Sequence, residues 1–302
     1  MTTEAELAHQ NHARLLHLAA TASVLVAGLL MLIKAYAWWV SDSISLLASL
    51  TDSALDALAS LLNFIAVRYS LQPADAEHRF GHGKAESLAG LGQALFIMGS
   101  AVFLLVRAVD RMLNPQPLEQ LDVAVAVMLV SIVLTFALVL YQRHVITLTH
   151  SPAIKADSLH YLSDLLTNAG IIAALLLSWA GWPQVDPVLA IAIALYIFYT
   201  AVQIWNESIQ LLLDRELPEE ELRRIEAIAL QREEVLGVHG LRTRQSGHVK
   251  IVQMHVELDG NMPLARAHRI CDQVESDILR EFPNADVLIH QDPHMPGATH
   301  RN

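Results

Sequence analysis

Six long apolar runs, separated by short polar segments, fill the first two-thirds of the chain. Each run has at least the roughly 20 residues that an α-helix needs to cross the hydrocarbon core of a bilayer. The pattern predicts membrane-spanning helices over Leu15–Val40, Ile44–Tyr69, Ser87–Leu113, Leu121–Tyr141, Leu159–Trp179 and Val185–Leu213. Because the number of spans is even, both ends of the chain are expected on the same side of the membrane.

The last third of the chain has a different periodicity. Two segments alternate between apolar and polar residues around Ser246-Gly247, which is typical of a β-hairpin. Two other segments begin with proline and continue with helix-forming residues. The pattern predicts helices over 218–231 and 263–282 and strands over Val235–Gln245, Val249–Leu258 and Asp286–His290. This αββαβ order predicts a small α+β domain at 214–302, after a transmembrane domain at 1–213.

Composition supports this division of the chain. With 53% hydrophobic residues and a mean hydropathy of +0.37, the 302 residues are too apolar for one soluble domain. Residues 214–302 nevertheless hold 27 of the 51 charged side chains, as expected of a soluble tail. The net charge of −11 and the lack of basic clusters argue against a nucleic-acid partner. Cys271 is the only cysteine, which excludes internal disulfides and paired-thiolate metal sites.

The basic residues predict the orientation in the membrane. They concentrate at the N-terminus and in the second and fourth connections, at Arg14, Arg68, Arg79, Lys84, Arg143 and Lys155. By the positive-inside rule, both termini and the tail lie in the cytoplasm. The expected location is the inner (plasma) membrane of the cell, as a multi-pass protein.

Two of the predicted spans carry ionisable residues at a spacing of four. Asp52 and Asp56 lie one turn apart on one face of the second span, and His160 and Asp164 repeat the spacing in the fifth. An ionised aspartate at the bilayer centre costs at least about 2.5–3.5 kcal/mol, so such residues usually have a function. Three carboxylates and one imidazole form a ligand set suited to a transition-metal ion. A proton relay, or pairing of the acids with a base such as Lys34, is the alternative.

A second candidate site lies in the connection between the second and third spans. Asp75, His78 and His82 fall within eight residues of one another, close enough in sequence to bind one ion. A solvated polar loop is the simpler interpretation. A phosphate-binding loop at Gly81-His82-Gly83-Lys84 is disfavoured, because the Walker pattern and its preceding strand are missing.

The tail contains a third candidate site. Its imidazoles and one nearby carboxylate lie on the predicted strands and the second helix, at His239, His255, His268, His290 and Asp292. A single histidine of this kind is usually an ordinary surface or packed residue. Because the whole set occurs together and no cysteine competes for the ion, a metal site is about as probable as a set of ordinary histidines.

Several of these segments resemble the motifs of one transporter family, the cation diffusion facilitators, and within it the bacterial zinc and ferrous-iron efflux pumps. The similarity runs from about Leu15 to Pro293. It is carried by Leu-Thr-Asp52-Ser-Ala-Leu-Asp56, Tyr-Ser-Leu-Gln-Pro-Ala-Asp75, Phe-Gly-His82-Gly-Lys-Ala-Glu-Ser, Ala-Asp-Ser-Leu-His160-Tyr-Leu-Ser-Asp164 and Ile-His290-Gln-Asp292-Pro.

The resemblance implies a role for each candidate residue. The transport site would comprise Asp52, Asp56, His160 and Asp164, and the second site Asp75, His78 and His82. A two-metal cluster in the tail would comprise His239, His255, His290 and Asp292, with His268 and Gln291 nearby. Lys84 and Asp214 would form an ion pair that links the membrane domain to the tail near the axis of a homodimer. One residue departs from the expected pattern: Gly240 stands where an acid is expected, which would weaken the support of the tail cluster.

The expected function is efflux of Zn²⁺, with Fe²⁺ and Cd²⁺ as further candidate ions, in exchange for protons by alternating access. Zn²⁺ is also expected as a structural ion in the tail. A metal-gated channel or a metal sensor without proton-coupled exchange is the alternative. An intramembrane metallohydrolase is disfavoured because the chain has no His-Glu-x-x-His motif. We therefore expect a transporter in the lipid bilayer and not an enzyme.

Overall fold

The structure is a computed structural model that describes residues 4–41, 44–113, 122–179 and 185–294. The chain divides into two compact units. One unit, the membrane unit, comprises His12–Gln72 and Ala85–Ile209. The other combines Met1–Asn11, Pro73–Lys84 and Gln210–Asn302, as far as these segments are described. The segment Pro73–Lys84 therefore belongs with the tail, although it is distant from the tail in sequence.

Six long helices precede the tail. They are α1 (Glu4–Ser41), α2 (Ile44–Ser70), α3 (Lys84–Leu113), α4 (Asp122–Thr149), α5 (Pro152–Trp179) and α6 (Val185–Leu212). All except α5 contain described stretches that are long and apolar enough to cross a bilayer. Helix α5 has 28 residues, and its first half carries the polar side chains of the candidate membrane site. One predicted residue, Leu121 at the start of the fourth span, lies outside the described residues.

Helices α4 and α5 extend further toward each other than the hydropathy pattern predicts. The fourth span was expected to end at Tyr141 and the fifth to begin at Leu159, but only His150 and Ser151 separate the two helices. Polar side chains in the added helical turns are buried and hydrogen-bonded to each other. They therefore need no water as a partner, and both helices can extend in place of a solvated loop. The Ser151 hydroxyl accepts a hydrogen bond from the backbone N–H of Ile154 at 3.1 Å and so caps α5.

A buried carboxylate on α5 connects four helices. Asp157 is fully buried and accepts hydrogen bonds from Ser23 of α1 at 2.5 Å, Gln142 of α4 at 2.7 Å and Gln93 of α3 at 3.2 Å. One turn later, the Tyr161 hydroxyl lies 2.6 Å from the hydroxyl of Ser60 on α2. Helix α5 is therefore hydrogen-bonded to each of the four helices before it.

The tail has the predicted αββαβ order. It contains α7 (Glu219–Ala229), β1 (Gly237–Ser246), β2 (Val249–Asp259), α8 (Leu264–Glu281) and β3 (Ala285–His294). The sheet order is β1-β2-β3, in which β1 is antiparallel and β3 parallel to β2. The predicted fold class, six membrane helices followed by an α+β tail, is confirmed. Strand β3 is longer than predicted because it pairs with β2 as far as His294, so His290 and Asp292 lie within the strand.

The two faces of this sheet have different partners. Alternate residues of β2 pack with α7 and α8 in one apolar core, which includes Ile225, Val252, Met254, Val256, Leu258, Val274 and Ile278. Because side chains alternate along a strand, His255 and Glu257 lie on the opposite face. The strand register pairs His255 with His239 of β1 and with His290 of β3. The helices therefore cover one face, and the candidate ligands on the strands share the other.

We predict that Asp157→Leu destabilises the membrane unit, because it leaves the amides of Gln93 and Gln142 without their buried acceptor. Each unsatisfied buried polar group costs about 1–3 kcal/mol. The temperature of half-maximal aggregation of the detergent-solubilised protein should fall by several degrees, and less for Asp157→Asn, which retains an acceptor oxygen. Equal midpoints for native protein and Asp157→Leu would contradict the proposed role of this network.

Candidate metal centres

The first centre lies on α2 and α5, within the membrane unit. Asp56, His160 and Asp164 offer donor atoms that all lie within 4.8 Å of one another. Nε2 of His160 lies 3.1 Å from Oδ1 of Asp56, and these side chains are only 7% and 18% exposed. The helical spacing of four places His160 and Asp164 one above the other on α5, where both reach toward α2. One imidazole and two carboxylates thus converge in a largely buried position.

Asp52, the fourth predicted ligand, lies one turn before Asp56 and is not part of this three-residue group. It lines the same cavity as Asp56 and Asp164, which has a volume of about 90 Å³. Lys34 also lines this cavity, and its ammonium group donates a hydrogen bond to the Ser53 hydroxyl at 2.5 Å. The cavity is polar and holds both acids and a base, so a ligand role for Asp52 and a pairing role for Lys34 are both compatible with it.

The second centre is the segment between α2 and α3. Asp75 Oδ2 lies 3.4 Å from Nε2 of His82, and Asp75 Oδ1 lies 3.5 Å from Nδ1 of His78. The three residues form a second group with all donor atoms within 4.8 Å. A hydrogen bond from the backbone N–H of His78, at 2.6 Å, holds the pKa of Asp75 below its ordinary value. The segment is therefore folded around the Asp75 carboxylate, although the side chains of Asp75 and His78 are about half exposed. A metal site and a solvated polar loop are both compatible with this geometry.

This segment packs closely against the β1–β2 turn of the tail. A Cβ atom on Gly83 would lie 2.5 Å from the backbone oxygen of Ser246, so only glycine fits there without a shift of the backbone. The Arg244 guanidinium lies 4.7 Å from the ring centroid of Phe80, within the range of a cation–π contact. The turn of β1 and β2 and the segment between α2 and α3 are thus packed as one structure.

Lys84 and Asp214 meet in the same unit. The Lys84 ammonium lies 2.9 Å from Oδ1 of Asp214, and Arg244 lies 3.3 Å from Oδ2 of the same carboxylate. Burial disfavours ionisation of Asp214, but the hydrogen bonds and charges of Lys84 and Arg244 together hold its pKa below the ordinary value. The carboxylate therefore stays ionised to lower pH than it would in an unfolded chain.

The third centre lies on the face of the tail sheet that is not covered by α7 and α8. His239, His255 and Asp292 form a third group with donor atoms within 4.8 Å. Asp292 Oδ2 lies 2.9 Å from Nδ1 of His255 and 3.4 Å from Nε2 of His239. The other oxygen of Asp292 lies 3.2 Å from Nε2 of His290. His290 therefore adjoins the group through Asp292, at a position where one carboxylate can bridge two ions.

His268 is separate from this group in the single chain. Its Nδ1 lies 3.5 Å from Asp272 on the same helix, α8, and its side chain is 67% exposed. Of the predicted tail ligands, the sheet thus brings His239, His255, His290 and Asp292 together. An exposed imidazole on α8 remains accessible to a second copy of the chain.

Gly240 stands where the family resemblance predicts an acid, and in this structure its lack of a side chain has a steric role. Its φ of +59° lies in the left-handed region, at an irregularity in the pairing of β1 with β2. A Cβ atom there would lie 2.9 Å from Cδ2 of His255. A carboxylate is nevertheless available from β2, because Oε1 of Glu257 lies 3.8 Å from Nε2 of His239.

The sequence patterns did not identify some of the functional candidates. Asp157 was visible as an acid next to an apolar run, but its spacing from His160 did not reveal its partners on other helices. Glu257 and His294 share the alternation of His255 and Asp292, so the period of two could have placed them on the same face. Their mutual contact, 2.7 Å between Nδ1 and Oε2, depends on the strand register.

Comparison with known proteins identifies relatives along nearly the whole chain. The family model for the cation efflux transmembrane domain matches residues 20–213, and that for the cation efflux protein cytoplasmic domain matches residues 217–294. Cation-efflux pump FieF of Klebsiella pneumoniae is 50% identical over 285 residues, covering 94% of this chain and 95% of the relative. FieF of Escherichia coli K12 is 49% identical with the same coverage. A solved structure of CzrB, described as a zinc transporter, is 36% identical and covers 26% of this chain and 99% of its own, with a TM-score of 0.26.

We predict that Gly83→Ala loosens the segment between α2 and α3, because its methyl group would collide with the backbone of Ser246. Amide hydrogen exchange of residues 73–84 and of the β1–β2 turn should become faster in the variant. Gly92→Ala is the matched control, since nothing lies within 4 Å of a Cβ atom at that position. Unchanged exchange in Gly83→Ala would show that the close packing does not hold the segment.

Proposed function

The chain belongs to the cation diffusion facilitator family, as a cation-efflux pump of the FieF type, and on this basis we propose that it exports Zn²⁺ from the cytoplasm in exchange for protons. The proposed transport site is the membrane centre of Asp56, His160 and Asp164, with Asp52 as the fourth ligand. The observation that carries the proposal is the convergence of two carboxylates and one imidazole, largely buried, within the membrane unit. Ionisable groups in such positions are costly and usually mark a path for ions.

Competition between protons and metal for the same donor atoms supplies the coupling. A carboxylate or imidazole binds a metal ion only after losing its proton, so each bound ion displaces protons. Nε2 of His160 lies 3.1 Å from Oδ1 of Asp56, so the two side chains are close enough to share one proton or to bind one metal ion. Metal loading from the cytoplasm releases this proton, and protons from outside empty the site.

Alternating access requires that the site can open on either side. Helix α5 is held to α1, α2, α3 and α4 by the hydrogen bonds of Asp157 and Tyr161, so His160 and Asp164 have a firm support. Asp52 lines the same cavity as Asp56 and Asp164 of the three-residue group. We assign Asp52 as the ligand that completes the coordination when Zn²⁺ replaces the proton.

Zn²⁺ is compatible with the donor set. Zinc accepts tetrahedral coordination by nitrogen and oxygen, and one imidazole with three carboxylates provides four such donors. Fe²⁺ and Cd²⁺ are further candidate cargoes, because affinity order alone does not separate ions at a mixed nitrogen and oxygen site.

The other two centres are proposed as further metal sites. We assign Asp75, His78 and His82 to one ion, and the tail group of His239, His255, His290 and Asp292 to structural zinc. The protein is proposed to act as a homodimer, in which the exposed His268 of each tail completes the cluster of its partner. The Lys84–Asp214 pair is proposed to lie near the dimer axis. We propose that both termini lie in the cytoplasm and the spans in the inner membrane, because the basic residues concentrate in the N-terminal segment and the second and fourth connections.

We predict that Asp56→Ala abolishes proton-driven Zn²⁺ flux into proteoliposomes that contain a metal-sensitive dye. Loss of a direct ligand should exceed the roughly 10–100-fold cost of losing an outer-shell partner. Asp110→Ala, an exposed acid on α3 outside the three-residue group, is the control and should transport like the native chain. Native flux that ignores an imposed pH gradient would instead favour a metal-gated channel, and flux that persists in Asp56→Ala would remove the site assignment.

We predict that His160→Ala weakens transport and also reduces its dependence on pH, because one fewer proton competes with the metal ion. The measurement is the Zn²⁺ concentration for half-maximal flux at several pH values on the loading side. In the native chain this concentration should rise as pH falls, and in the variant it should be higher throughout and rise less steeply. An unchanged pH profile would contradict the role of His160 in the exchange.

A further inference from the structure

A row of imidazole and carboxylate groups continues across the tail sheet beyond the third centre. The strand register pairs Glu257 of β2 with Asp292 of β3, and Asp259 with His294. On the other side, Glu257 pairs with Gly237 of β1. Glu257 and His294 therefore lie on the same face as the third centre, toward the C-terminal end of β3.

The Glu257 carboxylate lies between imidazoles of β1 and β3. Its side chain is only 12% exposed, and its Oε2 lies 2.7 Å from Nδ1 of His294. Its Oε1 points to the third centre, 3.8 Å from Nε2 of His239. The two oxygens thus have two different imidazoles as neighbours, one inside the third centre and one outside it.

Strand β1 has glycine at both positions where a side chain would crowd these groups. A Cβ atom on Gly237 would lie 3.1 Å from Cδ of Glu257, and one on Gly240 would lie 2.9 Å from Cδ2 of His255. Contacts this short would push Glu257 and His255 from their positions. The backbone of β1 therefore leaves room for a donor of the third centre and, next to it, for the Glu257 carboxylate.

We propose that Glu257 and His294 bind a further divalent transition-metal ion, separate from those of the third centre. A carboxylate and an imidazole nitrogen are ligands that Zn²⁺ accepts. Donors of one tetrahedral zinc ion at about 2.0–2.1 Å from the metal lie about 3.4 Å apart. The 2.7 Å separation of the two donor atoms needs only a small opening to admit the ion.

The site is open and exchangeable. Two protein side chains leave coordination positions for water, and a cation already bound in the third centre repels a second one nearby. The Glu257 carboxylate, shared between the two positions, offsets part of that repulsion. The ion at Glu257 and His294 is therefore bound more weakly than the ions of the third centre and leaves first. Because this ion leaves first, occupancy of the site would report the metal concentration of the cytoplasm. That role rests on the proposed function, whereas binding of the ion does not.

The test counts bound zinc in the full-length protein purified in detergent, after equilibrium dialysis against buffered Zn²⁺, by elemental analysis. At saturation, His294→Gln should hold one zinc ion per chain fewer than the native protein. His294→Cys should regain that ion, because a thiolate is a strong zinc ligand. His248→Gln is the control, since this residue lies at the β1–β2 turn, at the opposite end of β1 from His239, and it should bind like the native protein.

A second measurement separates this site from a simple ion pair. During titration with a chelator, the first zinc ion released from the native protein should be missing in His294→Gln, with the later steps unchanged. Equal zinc content of native protein and His294→Gln would overturn the proposal and leave Glu257–His294 as an ion pair. Zinc flux of His294→Gln is measured separately, so that loss of the extra ion with intact flux leaves the proposed transport function standing.

Discussion

The burial of carboxylates among apolar helices is the constraint on which the membrane unit depends. The structure meets it in two ways. Asp157 accepts hydrogen bonds from a hydroxyl and two amides, so its oxygens have neutral partners that fix helix α5 against its neighbours. Asp56 and Asp164 instead lie close to an imidazole, whose proton a metal ion can displace. The same chemical group is thus a structural anchor where its partners are neutral donors, and a proposed metal ligand where its partner can lose a proton.

In the tail, the positions of the candidate ligands depend on the alternation of side chains along the strands. A sheet covered by helices on one face leaves every second side chain of β2 on the other face. Imidazoles and carboxylates from three strands meet there, and β1 contributes glycine where a side chain would interfere. The result is a band of donors wider than one coordination sphere. A band of this kind suits a cluster of ions better than a single structural metal, because neighbouring positions can share a carboxylate.

The segment between α2 and α3 belongs physically to the tail. Its glycine at position 83 lies against the β1–β2 turn, and Lys84 is paired with Asp214. The donor group of Asp75, His78 and His82 therefore lies in a segment whose position depends on contacts with the β-hairpin. Any change in the hairpin would reach these donors through rigid backbone packing, since glycine offers no flexible side chain to absorb it.

Local patterns in the sequence predict the helices and strands and many of the candidate donors. Hydropathy and alternation suffice for six helices and an αββαβ tail, because they depend on local periods of 3.6 and 2 residues. Spacings of three and four residues likewise predicted the donors of the first two centres. Three features come from tertiary contacts alone: α4 and α5 nearly meet, Asp52 is not in the group of the other three membrane residues, and Glu257 contacts His294. These features depend on pairings between distant segments, such as Gln142 with Asp157 and β2 with β3, which no local period contains.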